Sequence, residues 1–461
     1  MTLRDHDGPG SSYRSRIAGW QAPVLSAFTA VWITGCGDNI PDPEGGPPLV
    51  PARALVVNAH FDDDIILMAP ALQDALAAGS VTALYVFSGD LRYGDGHARH
   101  AFGAAQVAWG AMVGSSAWDC GYLSVAGAPA HHCRLRDRPI SLISLDIPDG
   151  GIDAEAAWSP LHVFEGDPPS IAIRGEIGGT ATPETITATL AALIEATAPA
   201  QIDALDLAAT HGRDHSSHMF ASSYAFWGAA RLGYPGPIRW HRGYNVDVEP
   251  RTLDGEDYAA AHEMLGYFDA CYTGCGPCGT SCSNPDPQHE CWMSRQYSFT
   301  RSPVAASGPL ALQAAPALCV SASPAGITVA DCATADAVEL DAGGHLHLAG
   351  LDGVCLASPL DPAGAVVLVP CATAPEQYWA SDSEGHLWNG RRPGGAPGMD
   401  YDHVRCLNAE PQAGAAVTAP VCGSRLHPTW TLGSSAARNL ATSGVSNRAV
   451  PDESDPCLLV R

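Results

Sequence analysis

Two short segments of the chain concentrate side chains that could bind a metal ion and activate water. The first is His60 with the acidic run 62–64, and the second places His211, His215 and His218 within eight residues. Imidazole and carboxylate groups are ligands of zinc and of mononuclear iron sites, and a carboxylate that is not a ligand can act as a general base. The pattern therefore predicts a divalent metal site; ordinary core or surface histidines are the alternative.

Each segment stands between an apolar run and a helical pattern. Residues 54–59 and 83–87 are mainly apolar, as in buried parallel strands, and residues 65–76 between them carry hydrophobic residues at helical spacing. The second segment follows a further strand pattern at 202–207. Open α/β sheets bind ligands at the carboxyl ends of their parallel strands, so we expect both segments at one edge of the sheet. Helix capping would explain one Asp at a helix start, but not three with a His.

The two motifs and the residues between them resemble a known enzyme family over residues 51–300. Residues 59–64, Ala-His-Phe-Asp-Asp-Asp, resemble the Ala-His-Pro-Asp-Asp-Glu signature of the PIG-L/LmbE-type N-acetylglucosaminyl deacetylases. Residues 215–218 are similar to their His-Pro-Asp-His or His-Ser-Asn-His motif, and residues 147–151 to their Leu-Pro-Asp-Gly loop. The resemblance implies a Rossmann-like α/β domain with a mostly parallel sheet, over residues 51–305, that hydrolyses the N-acetyl group of an amino sugar or glycoconjugate.

The resemblance also implies a role for each residue of the motifs. His60, Asp63 and His218 would hold Zn²⁺, with Fe²⁺ or another divalent metal as the alternative. Asp62 would be the general base that accepts a proton from the attacking water. His215 would stabilise the oxyanion or protonate the leaving amine.

Two further residues enter through the same resemblance. Arg99 would contact the substrate, the alternative being a solvated Arg on a helix face. Ser217 stands where many members of the family have Asp, so a carboxylate that would orient His215 is missing there. Asp214, on the other side of His215, is the candidate to replace it.

The last third of the chain has short alternating strand patterns, glycine turns and three repeated units. Residues 377–379, Gln-Tyr-Trp, resemble the Gln-x-Trp element of ricin B-type lectins, and residues 308–435 therefore resemble an all-β β-trefoil followed by a tail at 436–461. Each unit holds two cysteines, and the repeat predicts the pairs Cys319 with Cys332, Cys355 with Cys371, and Cys406 with Cys422. The resemblance implies glycan binding through this region; a disulfide-stapled spacer with core tryptophans is the alternative.

The N-terminus and the 15 cysteines indicate export. An uncharged stretch at 17–35 ends directly before Cys36, which resembles a bacterial lipoprotein signal at 1–36 followed by a flexible linker at 37–50. The expected location is the bacterial cell envelope, with a lipid on Cys36 as the membrane anchor, or secretion. An uncleaved membrane-spanning anchor is the alternative.

Eight cysteines remain, of which Cys120 and Cys133 stand in the first large segment. The other six leave their pairing open: Cys271, Cys275, Cys278, Cys282, Cys291 and Cys457. Their even number favours disulfides, and a metal knuckle built from the dense cluster is the alternative.

The charge balance narrows the range of partners. A net charge of −25 repels phosphate backbones and argues against nucleic acid as the main partner. The sequence thus predicts a zinc-dependent N-acetyl amino-sugar deacetylase with a lectin-like module. The alternatives are an inactive surface carbohydrate-binding lipoprotein and an amidase that acts on another N-acyl conjugate.

Overall fold

The structure is a computed structural model that describes most of the chain beyond residue 44. The described residues are 45–89, 94–151, 156, 158–164, 168–175, 178–206, 214–301, 307–323, 326–340, 345–359, 363–372, 375–377, 379–381, 385–389, 405–420, 428–432 and 457. Cys36, His211 and Cys422 lie outside them. Contacts divide the chain into Met1–Cys36 and Gly37–Arg461. In the described part, no helix combines the length and the apolar composition needed to cross a membrane.

An α/β domain with a mixed, mostly parallel sheet forms the first part of the described chain. Its strands are β1 (Ala54–Asn58), β2 (Val81–Phe87), β3 (Trp118–Val125), β4 (Ala128–Leu135), β5 (Ile140–Ile147), β6 (Ile171–Ala172), β7 (Thr180–Ala181), β8 (Gln201–Leu205), β9 (Ile238–His241) and β10 (Ser298–Arg301). Eight of them form one sheet in the order β10-β9-β8-β1-β2-β5-β4-β3. The central strands from β9 to β5 are parallel, whereas β10, β4 and β3 are antiparallel to their neighbours.

Eight helices accompany this sheet in the described residues. They are α1 (Asp63–Leu67), α2 (Ala69–Ala78), α3 (Gly94–Val113), α4 (Pro160–Phe164), α5 (Pro183–Thr197), α6 (Ser216–Arg231), α7 (Gly255–Tyr272) and α8 (Pro287–Met293). The single helix expected from the spacing at 65–76 is wrong, because Met68 separates α1 from α2 with φ −133° and ψ 11°. Pro70 explains the break, since proline has no N–H and its ring clashes with the carbonyl of the residue four positions earlier.

The apolar runs of the sequence form strands that lie in the core of this domain. Every residue of β1 and β2 is buried, because both strands are covered on both faces and lie inside the sheet. Helices α5 and α6 approach closely at Gly228, where an added Cβ would lie 2.9 Å from the Cβ of Leu190. Gly228 lies in the last turn of α6, so this close approach packs the end of α6 against α5.

Small antiparallel sheets make up the last third of the chain. Their strands are β11 (Ser307–Gly308), β12 (Leu310–Leu312), β13 (Ala315–Ser323), β14 (Gly326–Asp331), β15 (Val338–Leu340), β16 (Leu346–Leu348), β17 (Val354–Ala357), β18 (Val367–Pro370), β19 (Trp379–Ser381), β20 (Leu387–Asn389), β21 (Arg405–Cys406) and β22 (Trp430–Leu432). The sheets have the orders β11-β15-β16-β17-β18, β14-β13-β12-β22 and β19-β20-β21. An all-β region therefore follows the α/β domain; the trefoil topology itself stays a prediction.

Two of the repeated units share one internal hydrogen bond. The indole of Trp379 donates to the carbonyl of Leu356 at 3.0 Å, and the indole of Trp430 donates to the carbonyl of Leu407 at 3.0 Å. Both tryptophans are buried. They therefore belong to the core of the β-rich region, as the spacer interpretation expects of them.

Disulfides join the cysteines of both regions. The described pairs are Cys120–Cys133, Cys271–Cys278, Cys275–Cys282, Cys291–Cys457, Cys319–Cys332 and Cys355–Cys371. Cys406 is also disulfide-bonded. The dense cluster is consequently not a metal knuckle, because its thiols are oxidised. Six disulfides are typical of an exported or extracellular protein.

Candidate metal centre

Three side chains from both sequence motifs meet at the carboxyl edge of the parallel strands. His60 follows β1, Asp63 opens α1, and His218 lies in the first turn of α6. Asp63 Oδ1 is 3.1 Å from His218 Nε2 and 3.7 Å from His60 Nδ1. Asp63 and His218 are fully buried, and the His60 side chain is 12% exposed. These three residues form a group whose ligand atoms all lie within 4.8 Å of one another.

The Asp63 carboxylate is oriented by the backbone of its own turn. Its Oδ2 accepts the N–H groups of Ala59 at 2.9 Å and of His60 at 2.6 Å, which leaves Oδ1 facing the two imidazoles. Burial alone would raise the pKa of Asp63, but the charges of His218 and His60 hold it well below its usual range. Asp63 is therefore an anion at neutral pH.

Two buried atoms of this group lack hydrogen bonds, which indicates whether a cation fits between them. Asp63 Oδ1 and His218 Nε2 are buried and make no hydrogen bond, although they lie 3.1 Å apart. Each buried polar atom without a partner costs about 1–3 kcal/mol. A divalent ion between two imidazoles and a carboxylate would satisfy both atoms and would keep positions open for water. The residues present thus fit a metal ion, although no metal is identified.

Both imidazoles of the group have a carboxylate at their other nitrogen. His218 Nδ1 lies 2.9 Å from Asp214 Oδ1, and His60 Nε2 lies 3.1 Å from Asp149 Oδ2, although the second pair lacks hydrogen-bond geometry. Carboxylates in this position commonly orient metal-binding histidines and make them better ligands. Burial lowers the pKa of His218, but Asp214 and Asp63 outweigh it and raise the pKa to about 9. Metal binding would displace that proton.

Asp214 does not have the role expected from the sequence. The sequence makes it the candidate to orient His215, but its contact is with the ring of His218. Asp214 Oδ1 also accepts the N–H of His215 at 2.8 Å and of Tyr244 at 2.9 Å. Gly243 makes room for this carboxylate, since a Cβ there would lie 1.7 Å from Asp214 Oδ2. The expectation is wrong because Asp214 and His218 are four residues apart at the start of α6 and face each other.

His215 lies at the edge of the same cluster. Its Nδ1 accepts the N–H of Ser217 at 3.1 Å, so the neutral ring carries its proton on Nε2. Nε2 is 4.0 Å from Asp149 Oδ2, and His60, Asp149 and His215 form a second group that could hold a metal ion. Burial, with His60 nearby, holds the pKa of His215 well below its usual value. A neutral His215 can donate a hydrogen bond from Nε2 to an oxygen in the site.

Asp62 lies beside the cluster without belonging to the metal group. It occupies the position before α1 but makes no side-chain capping bond, so helix capping does not account for it. Its Oδ2 is 3.9 Å from His289 Nε2 on α8. Burial and the charge of Asp63 raise the pKa of Asp62, whereas the charge of His289 opposes this rise.

Two residues of the sequence motifs lie away from the cluster. Asp64 points into the core, where Tyr85 donates to its Oδ2 at 2.8 Å and Trp109 donates at 3.2 Å. Burial raises the pKa of Asp64 to about 7. Arg99 is exposed on α3, and no hydrogen bond or ion pair of the described residues joins it to His60, Asp63 or His218. The structure therefore does not bring Arg99 into the group.

The other groups with metal-ligand chemistry contain cystines. They combine His131 with Cys120 and Cys133, and His345 and His347 with Cys355. Each of these cysteines is in a disulfide, so it offers no thiolate to a metal.

Comparisons with known proteins do not assign the chain to a family. No protein-family model matches the chain, and no curated protein matches it. Among solved structures, the hemolytic lectin CEL-III is similar over 33% of this chain and 34% of its own, with 17% identity and a TM-score of 0.22. A conserved protein from Thermus thermophilus, TT1542, is similar over 48% of this chain and 83% of its own, with 15% identity and a TM-score of 0.24. The chain thus spans about a third of the length of the lectin, and TM-scores this low support no conclusion on fold or function.

Proposed function

We propose that this protein is a metal-dependent amide hydrolase that removes the N-acetyl group from an amino sugar or glycoconjugate. The observation that carries the proposal is the buried group of His60, Asp63 and His218, with Asp62 and His215 beside it. Two imidazoles and one carboxylate form a ligand set of zinc hydrolases. The choice of an acetylated amino sugar rests on the motif resemblance.

The residues would divide the chemistry of amide hydrolysis among them. A divalent metal held by His60, Asp63 and His218 would supply a Lewis acid that polarises the amide carbonyl and acidifies water. Asp62 accepts a proton from the water that attacks the carbonyl carbon. His215 Nε2 donates a hydrogen bond to the carbonyl oxygen as negative charge develops on it. The C–N bond then breaks, and the proton taken by Asp62 passes to the leaving amine, which leaves acetate and a free amino sugar.

Acetate release from a substrate panel tests the proposal. The panel contains N-acetylglucosamine, its glycosides and N-acetyl conjugates that lack a sugar, each incubated with metal-loaded protein and with protein treated with a chelator. We expect acetate and free amine in equal amounts from an amino-sugar substrate, lost on chelation and restored by metal. Turnover that resists complete metal removal would contradict the metal-dependent reaction, and turnover of the sugar-free conjugates alone would contradict the substrate class.

The β-rich region would add carbohydrate attachment to this activity. The support is the Gln-x-Trp element at residues 377–379, which is the basis of the resemblance to ricin B-type lectins. Lipidation at Cys36 would attach the protein to a membrane. Binding of the full chain to a broad glycan panel tests the first point, and mass spectrometry of the membrane fraction tests the second. An absence of glycan binding would favour a spacer.

A further inference from the structure

An imidazole that the sequence motifs do not include faces the proposed general base. His289 of α8 has its Nε2 3.9 Å from Asp62 Oδ2. Its Nδ1 lies 2.8 Å from Asp269 Oδ1, and Asp269 is fully buried at the end of α7. The second oxygen of Asp269 accepts the N–H of Asp286 at 2.8 Å. Asp269 thus holds the ring at Nδ1, so that Nε2 is the nitrogen that faces Asp62.

The surroundings of His289 fix the plane and the position of its ring. Tyr272 and Trp292 stack on it, with ring centroids 6.3 Å and 6.2 Å away and interplanar angles of 22° and 30°. Disulfides fasten the segment on both sides, since Cys271–Cys278 closes the end of α7 and Cys291–Cys457 holds α8. The ring is therefore presented to Asp62 by a covalently braced part of the fold.

The charges around His289 favour its protonated form. Asp62 faces it from the turn before α1, Asp269 and Tyr272 from α7, and Asp286 from the start of α8. Burial lowers the pKa of His289, but its bond to Asp269 and the charges of Asp269, Asp62 and Asp286 raise it to about 9. An imidazolium in this place would offset the repulsion between the adjacent carboxylates of Asp62 and Asp63.

We infer that Asp269 and His289 are positioning residues that orient the Asp62 carboxylate toward the attacking water. The inference rests on the proposed function, in which Asp62 is the base. His289 acts through Asp62 and does not itself bind the metal. A structural role alone would explain a contribution of this pair to stability, but not a selective effect on turnover.

Turnover of a His289→Gln variant of the full chain tests the inference. We expect kcat to fall by about 10- to 100-fold, the range typical when the hydrogen-bond partner behind a metal ligand is removed, with KM and metal content retained. His262→Gln is the matched control. The ring of His262 also approaches α8, but the carboxylate that it faces, at 4.0 Å, is Glu290 and not Asp62. A kcat equal to that of the control, or a fall in kcat that accompanies loss of metal, would overturn the inference.

A second variant and a measurement independent of turnover complete the test. In an Asp62→Asn background, His289→Gln should cause no further loss, whereas the same fold-loss in both backgrounds would place the role of His289 elsewhere. In ¹⁵N-histidine-labelled protein, Asp62→Asn should lower the pKa of His289 by roughly one pH unit, because an opposite charge within about 4–6 Å favours the protonated ring. An unchanged pKa would overturn the pairing. Wild-type protein that shows no turnover would instead refute the proposed function. The role of His289 in catalysis would then be refuted as well.

Discussion

The indole N–H of Trp227 donates to the backbone carbonyl of Trp379 at 2.9 Å, and both side chains are buried. Trp227 lies on α6, about 2.5 turns after His218 of the metal group. Trp379 belongs to the Gln-x-Trp element of the β-rich region. The helix that positions His215 and His218 is therefore packed directly against that region, and Cys291–Cys457 adds a covalent connection near the end of the chain.

This contact predicts that the α/β domain and the β-rich region depend on each other for stability. Trp227→Phe removes the donor to a buried carbonyl and should lower the free energy of unfolding by about 1–3 kcal/mol. Thermal unfolding followed by calorimetry measures the effect. Arg231→Ala on the same helix is the control, because the exposed pair of Arg231 and Glu184 is expected to contribute about 0–1 kcal/mol. Equal losses in the two variants would contradict the prediction.

Replacement of the proposed base should separate metal binding from turnover. Asp62→Asn leaves His60, Asp63 and His218 in place but removes the group that accepts the proton from water. We expect full metal content and a decrease in kcat on the order of 10² to 10⁴. Elemental analysis and acetate release in the same preparation measure both properties. Unchanged turnover would show that the base is another residue.

The carboxylate behind His218 should affect metal affinity more than stability of the fold. Asp214→Asn weakens the support of His218 Nδ1, and we expect metal affinity to fall by about 10- to 100-fold. Asp74→Asn on the exposed face of α2 removes one negative charge elsewhere and serves as the control. Competition with a metal-chelating dye measures both variants. A similar metal affinity in the two variants would mean that the lost negative charge, and not the contact of Asp214 with His218, lowers the affinity.

A buried ion pair outside the metal group predicts part of the acid sensitivity. Burial raises the pKa of Asp203, but His241 and Arg239 outweigh it and lower the pKa below its usual value. The stabilisation is therefore fully present above the ordinary carboxyl pKa, about 3.9, and is lost as pH falls through the lower value of the folded state. Asp203→Asn should be less stable at pH 7, and its Tm should fall less steeply below pH 4. An identical acid profile would contradict this assignment.

The sequence predicts the metal group because one rule connects its members. His60 and Asp63 follow a buried strand, His218 follows another, and parallel neighbouring strands bring their ends to one edge of a sheet. His289 and Asp269 obey no such rule, since the approach of His289 to Asp62, and the bond of Asp269 to His289, arise from the packing of α7 and α8 against α1. The hydrophobic period at 65–76 predicts one helix in place of two because periodicity does not register the missing N–H of Pro70.

Elemental analysis of the purified full chain tests the central claim most directly. The account predicts one divalent metal ion per chain in the wild-type protein and none in the His60→Ala, His218→Ala double variant, with both proteins folded by circular dichroism. Stoichiometric metal in the double variant, or a folded wild-type protein that takes up no metal when zinc is supplied, would contradict it.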